Sequence, residues 1–325
     1  MFNDAYLRID WRNPEERPIR DGVGEGLLKV GRDERVVVLS ADLAESTRVA
    51  IFGEQYPDRF FEVGVAEQNL AGVAAGMALE GYKPFISSYA TFSPGRNWEQ
   101  IRVSIALTNV NVNIIGSHGG VSNGIYGPTH QGTEDIALVR TLPNMTVLVP
   151  ADATQAAAAI VAASQHVGPV YIRTARPATP DFTKPSPFEI GKAYVLRQAE
   201  QDKQTVTLAA CGTMVYEALA VSETLAREGI ECEVLNVSTI KPLDHYTIEQ
   251  SARRTGRVIT MEDHQIMGGM GSAIAEFLSE AYPVPLKRIG IPDRFGVSGE
   301  WRAVYREMGL DQESLAEGIR KFVLD

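Results

Sequence analysis

Cysteine is nearly absent from this sequence: Cys211 and Cys232 are the only two in 325 residues. They form no CxxC pair and are too few for a disulfide framework. Both stand in strand-like apolar stretches and read as buried free thiols of a cytoplasmic protein. Cations are in deficit as well, 31 against 41 acidic residues, for a net charge of −10. That balance argues against nucleic acid as a partner, although a few arginines can still line a local anion pocket. No uncharged apolar run is long enough for a membrane span, and the polar, acidic N-terminus is unlike a secretion signal. HExxH, GxGxxG and GxxxxGK[ST] are all missing.

What is present is an ordinary soluble composition, 44% hydrophobic and 22% charged, and enough chain for two α/β domains. Val-rich strands are expected at 35–40, 84–88, 111–116, 145–149 and 170–173. Helices at 21–30, 97–107, 133–140 and 154–164 alternate with them. That alternation predicts a parallel sheet covered on both faces. Pro177, Pro180, Pro185 and Pro187 read as a stiff, extended linker. A second strand set follows at 205–211, 231–237, 257–261 and 286–291. The expected division is 1–180, a linker over 181–190, and a smaller α/β domain over 191–325. Residues 1–20 read as an arm laid over this chain's surface or over another subunit.

Two stretches carry candidate chemistry. Between Phe60 and Ala78 an apolar run gives way to a helix of Ala and Gly, with Glu67 where the character changes. A carboxylate entering such a close-packed helix needs a polar partner; it also suits a helix N-terminus as such. The loop from Gly116 to Gln131 is rich in glycine and holds His118 and His130. With Glu67 these imidazoles make an acid–base site. Zinc is the rival reading for the two histidines, but no familiar ligand spacing completes it. Arg20, Arg96, Arg102, Arg173 and Arg176 are candidate anion binders, Arg173 first because it ends a strand. Phe85, Tyr89 and Phe92 serve either as core or as a platform for a flat ring. Glu262, Asp263 and His264 end the 257–261 strand, facing either a site or water. The glycines at 268, 269 and 271 are expected to let a helix approach a sheet closely.

Ser40-Ala41-Asp42-Leu43, Gly64-Val65-Ala66-Glu67-Gln68-Asn69, Gly127-Pro128-Thr129-His130-Gln131, Leu142-Pro143-Asn144-Met145 and Glu262-Asp263-His264 together resemble the transketolase family of thiamine-diphosphate enzymes. The likeness is to the C-terminal subunit of a split transketolase and covers nearly the whole chain. It implies a pyrimidine-binding domain followed by the transketolase C-terminal domain. It assigns Glu67 to the N1′ atom of the aminopyrimidine, Phe92 and Tyr89 to the pyrimidine face, and Asp42 to the cofactor across an interface. It gives His130 to substrate oxygens and proton transfer, and Arg20, Ser46, His118 and Arg173 to a sugar phosphate. The implied reaction moves a two-carbon ketol unit from a ketose to an aldose.

The family's Gly-Asp-Gly run, which binds diphosphate and Mg²⁺, is missing from the sequence. The resemblance therefore implies a partner chain carrying that domain, in an α₂β₂ heterotetramer, and assigns no metal ligand to this chain. Ile125-Tyr126 stands where the family has Glu-Asp, and Gly95 where it has a tyrosine. Both departures point to an uncommon sugar or sugar derivative. A 2-oxoacid dehydrogenase E1 β subunit and a non-catalytic scaffold subunit are the alternative readings.

Overall fold

The computed structural model describes residues 1–200 and 204–324. Six parallel strands form most of the first sheet, in the order Thr146–Leu148, Val170–Arg173, Asn113–Ser117, Lys83–Tyr89, Val36–Ser40, Phe60–Glu62. Val36–Ser40 shows why the sheet is covered twice. Alternate residues point to opposite faces, and here both faces are apolar. Val36 and Val38 pack with Leu27, Phe85 and Ile160 beneath helices Ile19–Val30 and Ala153–Gln165. Val37 and Leu39 pack with Leu70, Ala74 and Ile101 beneath helix Glu67–Leu79 and the helical stretch Ile101–Leu107.

The first helix forms despite its glycines because they make room for a neighbour. A Cβ on Gly22 would lie 2.0 Å from the carbonyl oxygen of Ala153, and one on Gly26 would lie 2.6 Å from Ile160. The two helices cross at backbone contact, which offsets the weak propensity of glycine.

The second sheet runs Leu286–Ile291, Val258–Gln265, Gln204–Ala210, Ile230–Asn236, all parallel, with Tyr194–Arg197 antiparallel at the edge. The close-approach glycines behave as expected: a Cβ on Gly271 would meet Thr260 Oγ1 at 2.4 Å as helix Met270–Ala281 passes the sheet. Cys211 and Cys232 are buried free thiols, with burial holding both thiol pKa values up.

Two expectations take definite form. Residues 176–187 are extended, as expected, but packed onto the chain. Ala178–Pro180 pairs antiparallel with Glu16–Pro18, and Asp181, Phe182 and Thr183 are buried. The buried carboxylate of Asp152 accepts the N–H groups of Phe182 and Thr183 at 2.9 and 2.6 Å. The N-terminal arm lies on its own chain, bridging Phe2 to Arg197 and Leu7 to Thr183. Thr239–Lys241, unforeseen in the sequence, leaves the second half to pair antiparallel with Thr146–Leu148 at the edge of the first sheet. Among the described residues no helix is long and apolar enough to cross a membrane.

Candidate functional site

Parallel strands expose the loops at their C-terminal ends, and ligands of α/β proteins collect there. Here the ends of Val36–Ser40, Lys83–Tyr89, Asn113–Ser117 and Val170–Arg173 deliver Asp42, Tyr89, His118 and Arg176 to one side of the sheet. An open cleft of about 620 Å³ lies there, lined by Arg20, Asp42, Ser46, Arg48, Tyr126 and Arg176 among others. Among the described residues five non-glycine residues have left-handed backbones, and three of them, Asp42 (φ 61), Arg48 (φ 68) and His118 (φ 62), belong to this site. Such conformations cost about 1–3 kcal/mol each and persist only where the surroundings enforce them.

Ser46 ties the cleft together. Its Oγ is 2.6 Å from the Tyr89 hydroxyl and 3.4 Å from His118 Nε2, while its carbonyl accepts Arg20 Nη1 at 2.5 Å. The His118 ring stacks on Tyr89, centroids 3.9 Å apart, and its Nδ1 is 2.9 Å from Ser117 Oγ. Burial first, then the charges of Arg20 and Arg176, push the His118 pKa down to about 2. His118 is therefore a neutral imidazole, offering one donor and one acceptor. Arg20 has its own pKa lowered by burial and by Arg48 and Arg176. Three guanidinium groups thus converge on the cleft, and only Arg48 among them has a carboxylate partner, Asp21 at 2.7 Å. Tyr126 closes one side, stacked on His130 at 5.6 Å, with the Arg176 guanidinium 4.8 Å from its ring centre. Thr129 Oγ1 lies 2.9 Å from His130 Nδ1.

Phe92 joins this cluster to a deeper one. Its ring meets His130 edge-on at 5.3 Å, and the Arg96 guanidinium lies 4.7 Å from its centre. The same guanidinium donates to Glu67 Oε2 at 2.7 Å. Glu67 opens helix Glu67–Leu79, is only 1% exposed, and also accepts Ser88 Oγ at 3.2 Å. Asn97 Nδ2 holds the Glu67 carbonyl at 3.0 Å. A buried carboxylate with one half-exposed cation and one hydroxyl as partners retains lone pairs for a further donor. Among the described residues no group of three or more His, Cys, Asp or Glu side chains is placed to hold a metal ion.

Residues 17–181 match the transketolase pyrimidine-binding domain, and residues 191–315 match the transketolase C-terminal domain. The chain belongs to the transketolase family. This transketolase chain is 42% identical over 309 residues to the 6-deoxy-6-sulfo-D-fructose transketolase subunit SqwH of a Clostridium species, covering 94% of this chain and 95% of that protein. It is 38% identical over 307 residues to an apulose-4-phosphate transketolase subunit of Phocaeicola vulgatus, covering 94% and 97%. A solved structure described as a split gene transketolase, inactive beta4 tetramer, superposes with a TM-score of 0.87 at 41% identity, covering 94% of this chain and 98% of that one.

Of the site residues expected from the sequence, Arg20, Asp42 and Ser46 line the cleft, Tyr89, His118, His130 and Phe92 join it through contacts with Ser46 and with one another, and Glu67 is linked to Phe92 through Arg96. Arg173 does not join them. It belongs to an interior strand and is 6% exposed. Its Nε pairs with Asp135 at 2.9 Å, and its Nη2 donates to the carbonyls of Gly132 and Asp263 at 3.1 and 2.8 Å. A guanidinium ending an interior strand is still between the layers and must be fully paired. Three residues later the chain has left the sheet, so Arg176 takes the cleft position. Arg48 emerges only from the fold, because its place depends on a left-handed backbone that leaves no sequence signature. Arg96, a candidate anion binder in the sequence, is instead engaged with the Glu67 carboxylate.

Proposed function

We propose that this chain is the pyrimidine-binding subunit of a two-chain transketolase. A partner chain with the Gly-Asp-Gly domain would bind the diphosphate and Mg²⁺, and the pair would assemble as α₂β₂. The observation that carries this reading is the buried Glu67 carboxylate, linked through the Arg96 guanidinium and the Phe92 ring to His130 of the two-histidine loop. The donor set fits one half of thiamine diphosphate. A buried carboxyl suits a basic ring nitrogen, and Phe92 suits the flat face of a pyrimidine. No residue set among those described suits the metal–diphosphate half, which favours a second polypeptide there.

When bound, the cofactor would supply the nucleophilic carbon that carries the two-carbon unit between sugars. The residues of this chain do the rest. Glu67 would hold the basic nitrogen of the pyrimidine ring through one proton, and its burial would strengthen that hydrogen bond relative to water. Arg96 and Ser88 orient the Glu67 carboxylate. His130 faces the reacting sugar oxygens and moves protons there. Arg20, Arg176, Ser46 and neutral His118 hold the anionic end of the sugar. Arg176 replaces Arg173 in this role.

The sugar itself is an uncommon one. Tyr126 puts a ring, held by His130 and Arg176, where an acidic acceptor would read a substrate hydroxyl. Three arginines bind a tetrahedral sulfonate as readily as a phosphate, and one relative is named for a sulfosugar. Calorimetry decides the two-chain reading: the isolated chain should show no tight binding of thiamine diphosphate with Mg²⁺, and the reconstituted pair should. Tight, metal-dependent binding by the isolated chain overturns it. A donor–acceptor panel decides specificity; efficient use of xylulose 5-phosphate with ribose 5-phosphate defeats the uncommon-sugar reading.

A further inference from the structure

The acidic pair near the end of the Val258–Gln265 strand has no part in the site just described, yet both carboxylates are buried. Glu262 is accounted for locally: it accepts the N–H groups of Met270 and Gly271 at 2.7 and 2.8 Å, capping a helix of its own domain. His264 bonds the carbonyl of Gln265 at 2.8 Å. Asp263 instead reaches into the first domain. Its Oδ1 accepts the Val121 N–H at 2.9 Å, three residues beyond His118. Its Oδ2 accepts the Tyr305 hydroxyl at 2.8 Å, and Thr213 Oγ1 lies 2.8 Å from that hydroxyl. Because the tyrosine proton goes to Asp263, Thr213 donates to Tyr305. Thr213, Tyr305 and Val121 thus line up on one buried carboxylate.

The loop is pressed against it. Gly120 has φ +82, and a Cβ there would lie 2.1 Å from Asp263 Oδ2. Any side chain at 120 would therefore displace the carboxylate or the loop. Further along, Asn123 Nδ2 donates to the carbonyls of both His118 and His130, at 2.6 and 2.5 Å. Gln131 Nε2 donates to Val297 O at 3.0 Å, and a Cβ on Gly127 would meet Ser298 Oγ at 2.2 Å. The second domain touches the histidine-bearing loop along its whole length, and among these contacts Asp263 supplies the buried charge. A buried carboxylate stripped of a donor is costly, so the Val121 N–H is in effect an obligatory partner.

We infer that the Asp263–Tyr305 pair positions the 118–130 loop, making both second-domain residues positioning residues for His118 and His130. The inference rests on the proposed transketolase reading for its consequence in turnover, but not for its structural claim. Tyr305→Phe removes one hydroxyl at nearly constant volume. In hydrogen–deuterium exchange of the full isolated chain, amides 119–126 should exchange about tenfold faster in Tyr305→Phe, from a lost hydrogen bond to a charged group. Exchange in the Val36–Ser40 strand should not change. In the complex reconstituted with its diphosphate-binding partner, hydroxypyruvate as donor and glyceraldehyde 3-phosphate as acceptor are the probes. The KM for the acceptor should rise about fivefold and kcat should fall a few-fold as His130 shifts, with cofactor half-saturation within about twofold of wild type. Thr213→Val, which keeps the Tyr305–Asp263 bond, should give the same pattern more weakly and serves if Tyr305→Phe does not fold. Unchanged exchange at 119–126, or acceleration spread over every peptide, overturns the positioning role. A wild-type complex inactive with every phosphorylated and every sulfonated sugar instead counts against the transketolase reading, and the exchange result stands by itself.

Discussion

The two parallel sheets carry polar residues at the same topological place, at or just beyond the C-terminal ends of their strands, and use them differently. In the first, Ser46 and Arg176 face an open cleft together with Arg20 from the start of helix Ile19–Val30, and two guanidinium groups are short of carboxylate partners. In the second, Glu262, Asp263 and Asn236 are each 1–3% exposed, and both carboxylates have their partners inside the protein. The same architecture thus yields a receptive rim in one case and a closed structural joint in the other. What separates them is whether neighbouring elements have already satisfied the polar groups, which is a property of packing rather than of topology.

The largest way to break the comparison is at Glu67. In the reconstituted complex Glu67→Ala should lower transfer by about 10³-fold or more, measured as kcat; an unchanged rate gives this carboxylate an indirect role. The two neighbouring arginines sharpen it next. Arg176→Ala should raise the KM for an anionic sugar by about 10–100-fold while leaving the fold intact. Arg173→Ala should instead destabilise the chain by about 3–5 kcal/mol, because the buried Asp135 carboxylate would lose its counter-ion and keep only the Tyr171 hydroxyl. Urea unfolding beside steady-state kinetics separates the two outcomes.

Protonation supplies a smaller and opposite-signed pair of tests. The His118 pKa is lowered from its ordinary 6.5 to about 2 by burial and nearby arginines. The unfolded chain takes up that proton first, so the His118 contribution is intact above pH 6.5 and is lost as the pH falls. Glu262 is raised from 4.5 to about 7, burial outweighing its two N–H donors. The folded chain holds that proton longer, so its contribution is full below pH 4.5 and is lost as the pH rises through 7. Between about pH 5 and pH 7 each amounts to roughly 2 kcal/mol, in opposite directions. Denaturant titrations should show His118→Asn losing less stability in acid than wild type, and Glu262→Gln losing less on the way to neutrality. Matching slopes in both variants and wild type would remove the contrast.

The strands are legible in the sequence because their signal is local. Val170–Arg173 and Leu286–Ile291 fall where the apolar runs place them, and the remaining expected strands shift by a few residues at most. Interior parallel strands are apolar on both faces, so their runs stand out. The three-residue strands Phe60–Glu62 and Thr239–Lys241 are not legible, being too short to show a period. At the site, residue types are readable but directions are not. Arg173 and Arg176 both look suited to an anion, and only the register of an interior strand tells which one is walled in. Gly95 shows the converse. A Cβ there would lie 2.0 Å from the Thr91 carbonyl oxygen, so this backbone admits no side chain at position 95, a constraint the sequence alone does not reveal.

The stray strand at 239–241 has a consequence for how this polypeptide can be cut. It seals an edge of the first sheet with residues encoded far downstream, while the first seven residues fasten upstream sequence to the far half. A nick near residue 185 would leave two fragments clasped at both ends. Two genes divided at that point would each yield a piece with a bare sheet margin, prone to adhere to its own kind.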